Sequence, residues 1–213
     1  MISIAIDGPS GAGKSTISSE MARRFGFLHI DTGALYRAVA LHFSRSGDLS
    51  NIALTVDITD GVQKVRLDGE DVSGQIRTPE ISKLASDLSA LPDVRAFLLE
   101  TQRDFAKTAN VIMDGRDIGT VVLPDASLKI FIHATPEDRA RRRYEELLVK
   151  DQTTSYEDVL EQVKTRDYND SHRDIAPLKP AEGALIVDTT SNELERTLEI
   201  MEELIRENLN PND

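Results

Sequence analysis

An α/β architecture, a five-stranded parallel sheet flanked by helices, is the fold class this sequence predicts, and three observations predict it. Short apolar runs alternate with helical patterns along the whole chain, the arrangement that builds parallel sheets through crossover helices. Five of those runs, at 1–7, 27–30, 111–113, 128–133 and 185–188, are bounded by turn residues and read as buried strands. A Gly-rich turn from Gly8 to Gly13 then joins the first strand to a helical pattern beginning at Lys14.

In order along the chain, Ile17, Met21, Ala22 and Phe25 share one face of the first helix. A second helix is predicted over 34–43. Residues 54–73 differ in character: Val56, Ile58, Val65 and Leu67 alternate around Gly61 and Gly69, each following an aspartate, which predicts a small β-hairpin lobe. Two helices follow over 78–90 and 92–107, the second opening on Pro92. Pro136 opens a helix carrying Arg139, Arg141, Arg142 and Arg143, a polar break covers 151–154, and further helices are expected over 155–168 and 193–207. The tail from 208 to 213 is expected to fray.

The 213 residues suffice for one sizeable core with small appended lobes, and 39% hydrophobic with 29% charged content is an ordinary globular mixture. No apolar run approaches the roughly 18 residues of a membrane span. The short, acid-bearing N-terminus does not read as a signal peptide. There is no cysteine, which removes disulfides, thiolate metal sites and thiol nucleophiles; a cytoplasmic location is the default expectation. A net charge of −12 argues against binding nucleic acid or an anionic membrane. Phosphate chemistry would therefore need positive charge concentrated in one place, and the arginine helix supplies it.

Gly8-Pro9-Ser10-Gly11-Ala12-Gly13-Lys14-Ser15, followed by Thr16, fits the Walker A phosphate loop. Its glycines let successive backbone N–H groups turn inward onto phosphate oxygens, and the following helix adds the positive end of its dipole. Lys14 would reach the β- and γ-phosphates of ATP, and the Ser15 hydroxyl would ligate Mg²⁺. Asp114, after an apolar strand, has the setting of a Walker B acid that holds the same ion.

Five further segments occur in a specific order: Asp31-Thr32-Gly33-Ala34-Leu35-Tyr36-Arg37; Val72 to Arg77; Ser86 to Arg95; Asp114-Gly115-Arg116-Asp117 to Val122; and Arg166-Asp167, Asp170, Arg173. With the phosphate loop they resemble bacterial cytidylate kinases over nearly the whole chain. The resemblance implies a single P-loop kinase domain that transfers the γ-phosphate of ATP to CMP or dCMP. It implies an inserted acceptor lobe at about 38–105 and a lid at about 138–170. It also implies that Arg37, Arg116 and Arg173 clamp the acceptor phosphate, a task suited to guanidinium forks. Ser86, Arg95 and Asp117 would read the base. A carboxylate and a hydroxyl accept from the cytosine amino group while an arginine donates to the ring; uracil inverts two of those positions.

Arg166 and Asp170 are matched to the acceptor sugar and phosphate, although their i, i+4 spacing equally suits an intrahelical salt bridge. For Asp117, the plainer role is an ion pair that orients Arg116. Asp31, Thr32, Tyr36 and Gly115 would line the acceptor site, with Asp31 fixing Arg37 or the sugar. Arg139, Arg142 and Arg143 would close over the ATP phosphates and exclude water. Small nucleotides are then the only partners implied, and nothing in the chain demands more than a monomer. The alternatives are a P-loop kinase for another small acceptor and a non-catalytic nucleotide switch.

Overall fold

The computed structural model describes residues 1–59, 61–149 and 154–209. The expected turn residue Asp60, the polar break at 151–153 and the tail beyond 209 lie outside that description. The predicted sheet is present, built from β1 (Ser3–Asp7), β2 (Leu28–Asp31), β6 (Val111–Gly115), β7 (Leu128–His133) and β8 (Leu185–Asp188). The spatial order is β2-β6-β1-β7-β8 and every pair is parallel.

Helices cover both faces, which is why these strands are apolar on both sides. Ile4, Ile6, Ile112, Ile130 and Ile132 point to one face. There they pack with Ile17 and Met21 of α1 (Lys14–Phe25) and with Leu198, Met201 and Ile205 of α7 (Leu194–Asn208). Ala5, Ile30 and Met113 point the other way, against Ile118, Val122 and Leu99. Leu99 belongs to α4 (Pro92–Thr108). Each such large side chain contributes about 1.5–3 kcal/mol on burial.

A separate apolar cluster organises the insertion. It joins Leu35, Val39 and Ala38 of α2 (Thr32–Ser46) to Ile81 and Ala85 of α3 (Pro79–Leu88) and Leu98 of α4, and includes Val65 and Leu67. The last two lie on β4 (Val62–Leu67), which pairs antiparallel with β3 (Leu54–Thr59) as expected and also with β5 (Glu70–Asp71). The hairpin is thus a three-stranded sheet, because the turn at Asp68 and Gly69 returns the chain along β4 before Val72 N–H donates to Val65 O.

Two helices run beyond their expected ends. α2 starts at Thr32, since the Asp31 side chain accepts from Ala34 N–H and caps it. α6 (Tyr156–His172) continues past 168, where Tyr168 stacks on His172 at 4.1 Å and Asp170 is drawn inward by Arg116. α5 (Pro136–Val149) packs antiparallel to it through Ala140, Leu147 and Val159. No helix among the described residues is long and apolar enough to cross a membrane.

The register brings Asp7 opposite Gly115 and Asp31 opposite Asp114. The carboxyl ends of β1, β2 and β6 therefore open together on one edge of the sheet, where open α/β folds place their ligands.

Candidate active site

The loop after β1 is shaped by backbone approach. A Cβ at Gly8 would run into the carbonyl oxygen of Ile132, and Gly13, with φ 82°, sits in the left-handed region directly before α1. Only glycine meets both conditions at low cost. Gly11 and Ala12 complete the turn, and Ser10 offers its carbonyl to Arg139 Nη1 at 3.0 Å. Lys14 is 6% exposed and its Nζ donates to Pro9 O at 2.7 Å. Burial and then the neighbouring cations Arg116 and Arg166 push its ammonium well below the ordinary lysine range, with Asp114 pulling the other way. Ser15, beside Thr16 at the start of α1, donates from Oγ to Asp114 Oδ2 at 2.8 Å.

Asp114 ends β6 and is buried. Burial pushes its carboxyl up, but His29, Lys14 and Ser15 outweigh that and hold it below the usual range. His29 Nε2 lies 2.7 Å from Asp114 Oδ1. Thr32 Oγ1 donates to Asp114 O at 2.8 Å and would also meet a Cβ on Gly115, so β2 and β6 are tightly joined at the site.

Three arginines converge from distant parts of the chain. Arg37 donates to Asp31 Oδ2 at 2.7 Å, and Arg116 Nε to Asp170 Oδ2 at 2.9 Å. Arg173 Nε donates to Ala176 O at 2.6 Å, and its Nη2 lies 3.7 Å from Asp117 Oδ1. The acid that steadies Arg116 is Asp170. Asp117 pairs instead with Arg95 and Arg173, so both the simple Arg166–Asp170 bridge and the Asp117–Arg116 pair give way to longer-range partners. Burial, and then Arg116, push Arg166 down to about 10.

Buried Arg37 Nε, Arg166 Nε and Arg173 Nη2 have no hydrogen-bond partner among the described residues. Orphaned donors on buried cations are costly. A dianion set among them would satisfy the donors and relieve the mutual repulsion.

Beside this cluster, Asp117 and Arg95 form a buried ion pair. Burial raises the Asp117 carboxyl against the opposing pull of Arg95 and Arg173. Arg95 lies 5.9 Å over the Tyr36 ring and donates to Ser89 O at 3.2 Å. Half-buried Ser86 precedes it on α3, its carbonyl accepting from Ser89 Oγ at 2.8 Å. The candidate base-reading residues therefore adjoin Arg173, whose Nη1 is 3.5 Å from Ser89 Oγ.

The family model described as cytidylate kinase matches residues 4–207. The chain belongs to the cytidylate kinase family. It is 50% identical to a cytidylate kinase of Caldicellulosiruptor saccharolyticus, covering 95% of each chain. It is 49% identical to one from Caldanaerobacter subterraneus, over 97% of this chain and 96% of the other. In fold it is similar to shikimate kinase from Bacteroides thetaiotaomicron, with a TM-score of 0.50 at 16% identity over 96% of this chain and 98% of that one.

In this cytidylate kinase family member, each of the three arginines predicted for the lid meets a partner. Arg139 is 2% exposed and paired with Asp167 of α6, while its Nε donates to Ala134 O at 2.9 Å. Arg142 lies 2.5 Å from both Asp138 and Thr189 O. Arg143 is more exposed and meets Glu146 at 3.3 Å.

Sequence reasoning missed His29, whose one signal is a polar residue inside an apolar strand. It also missed Asp7, whose carboxylate accepts from Ile118 N–H at 2.7 Å and Gly119 N–H at 2.8 Å. Asp7 thereby ties the end of β1 to a π-helical turn, Ile118–Val122, that follows Asp117. Burial outweighs those two donors and raises Asp7 to about 6 from 3.8. A raised carboxyl favours the fold when protonated, so its contribution is complete below pH 3.8 and lost as pH rises to about 6. Relative to Asp7→Asn, the wild type should lose about 2–2.5 kcal/mol of stability between pH 4 and pH 7. Urea unfolding of both proteins across that range reads the difference, and a flat difference contradicts it.

Proposed function

We propose that the chain transfers the γ-phosphate of ATP to CMP or dCMP. The observation that carries this reading is the set of buried guanidinium donors of Arg37, Arg166 and Arg173 that make no hydrogen bond among the described residues, next to Arg116 and a phosphate loop. The backbone of Gly8 to Thr16 holds the donor phosphates, with Lys14 at the transferred group. Arg37, Arg116 and Arg173 hold the acceptor phosphate, an anion already competent to attack, so no general base is needed. Arg166 and Asp170 contact the acceptor sugar and phosphate. Ser86, Arg95 and Asp117 face the cytosine edge and leave uracil with unpaired groups.

Among the described residues no group of three or more His, Asp or Glu side chains is arranged to hold a metal alone. The Ser15 hydroxyl and Asp114 carboxylate, 2.8 Å apart, are hard oxygen donors that fit Mg²⁺ arriving with ATP. Mg²⁺ there would offset the charge of the donor phosphates.

Residues 38–105 act as the acceptor lobe and 138–170 as the lid. In the lid, Arg139, Arg142 and Arg143 screen the phosphates from water. One chain supplies every group, consistent with a monomer working in the cytoplasm.

The test is ADP release with ATP and Mg²⁺ against each common nucleoside monophosphate. Turnover of CMP and dCMP, with UMP at least about 10-fold weaker in kcat/KM, is expected. Turnover mainly on another monophosphate would keep the phosphate loop and overturn the base-reading assignment.

A further inference from the structure

Gln63 projects from β4 onto the main chain of Asp31. Asp31 N–H donates to Gln63 Oε1 at 2.8 Å, and Gln63 Nε2 donates to Asp31 O at 3.2 Å. β2 is an edge strand of the main sheet, so its outward N–H and C=O groups have no ladder partner of their own. A side-chain amide carries one donor face and one acceptor face and closes both. The residue so gripped is the one that ends β2, caps α2 and holds Arg37 through Oδ2 at 2.7 Å. The small three-stranded sheet thus reaches the acceptor arginine through one intermediary, from 32 residues away in sequence.

We infer that Gln63 is a positioning residue for the acceptor: it fixes the Asp31 main chain so that the Asp31 carboxylate presents Arg37 in its phosphate-binding pose. This rests on the acceptor role proposed for Arg37. Displacing a group that grips the acceptor phosphate equally in the ground and transition states raises KM and leaves kcat nearly unchanged. A glutamine that merely covers an edge strand would instead affect stability without favouring one substrate.

The experiment is steady-state kinetics of Gln63→Leu, a change close in volume that removes both hydrogen bonds, with CMP and ATP varied separately. The KM for CMP should rise about 10-fold while kcat and the KM for ATP stay within about twofold. In an Arg37→Lys background the same change should add less than about twofold, because both substitutions act through one arm. A CMP KM within twofold of wild type, an equal rise for ATP, or multiplying effects in the double variant would overturn the assignment.

Should Gln63→Leu fail to fold, Gln63→Glu keeps the acceptor for Asp31 N–H and loses the donor. A smaller rise confined to CMP is then expected, and no rise counts against the proposal. Wild-type turnover of CMP in the same series tests the acceptor reading on its own. An active wild type beside an unaffected Gln63→Leu overturns the positioning role alone.

Discussion

Replacing Lys14 by methionine should lower kcat by about 10²–10³-fold, while CMP binding read by calorimetry should stay close to wild type. The methionine keeps most of the buried stem and removes the ammonium proposed to meet the donor phosphates. It also removes a cation that burial, Arg116 and Arg166 all disfavour. The unfolding midpoint of Lys14→Met should therefore be no lower than that of the wild type, the usual pattern when a functional group is held at the expense of stability. A variant that loses activity together with several degrees of stability would mean that Lys14 supports the loop rather than the reaction.

The second large effect is on folding. Asp117→Ala leaves Arg95 and Arg173 buried without their shared carboxylate. Removing one member of a buried ionic group strands the others in low dielectric and costs about 3–5 kcal/mol. By contrast, exposed pairs such as Arg196 with Glu199 contribute little because water screens them. Urea unfolding of the alanine variant reads the loss directly. A destabilisation under about 1 kcal/mol would show that water reaches the two arginines and that the cluster is not dry. With Asp117→Asn, which keeps the shape, the discrimination between CMP and UMP should weaken even where folding is preserved.

Much of this was legible in the sequence because it is local. The strand before Gly8 and the helix from Lys14 follow from periodicity and glycine placement, and the expected start of α1 is the observed one. The five strands were each short apolar runs, and a buried parallel strand leaves that signature on its own. The arginines could be named from their motifs, but their partners could not. Asp170 sits four residues from Arg166 and yet pairs with Arg116, 54 positions away, because burial on α6 turns it inward. The π-helical turn was equally hidden, since it depends on the Asp7 carboxylate gathering two N–H groups from a segment 111 residues on. The seat of Arg139 between the phosphate loop and α6 likewise depends on two contacts that no sequence window contains.

The three arginines proposed to clamp the acceptor come from α2, the residue just after β6 and the residue just after α6. No fragment ending before Arg173 holds all three. With that assignment, acceptor affinity is a property of the finished chain, and a molecule lacking its last quarter loses part of the acceptor site. By mass action the nucleotide adds its binding free energy only to the complete native state. In a cell well supplied with CMP, the substrate would thus act as a quality check, protecting whole molecules from proteolysis and leaving truncated ones exposed to it.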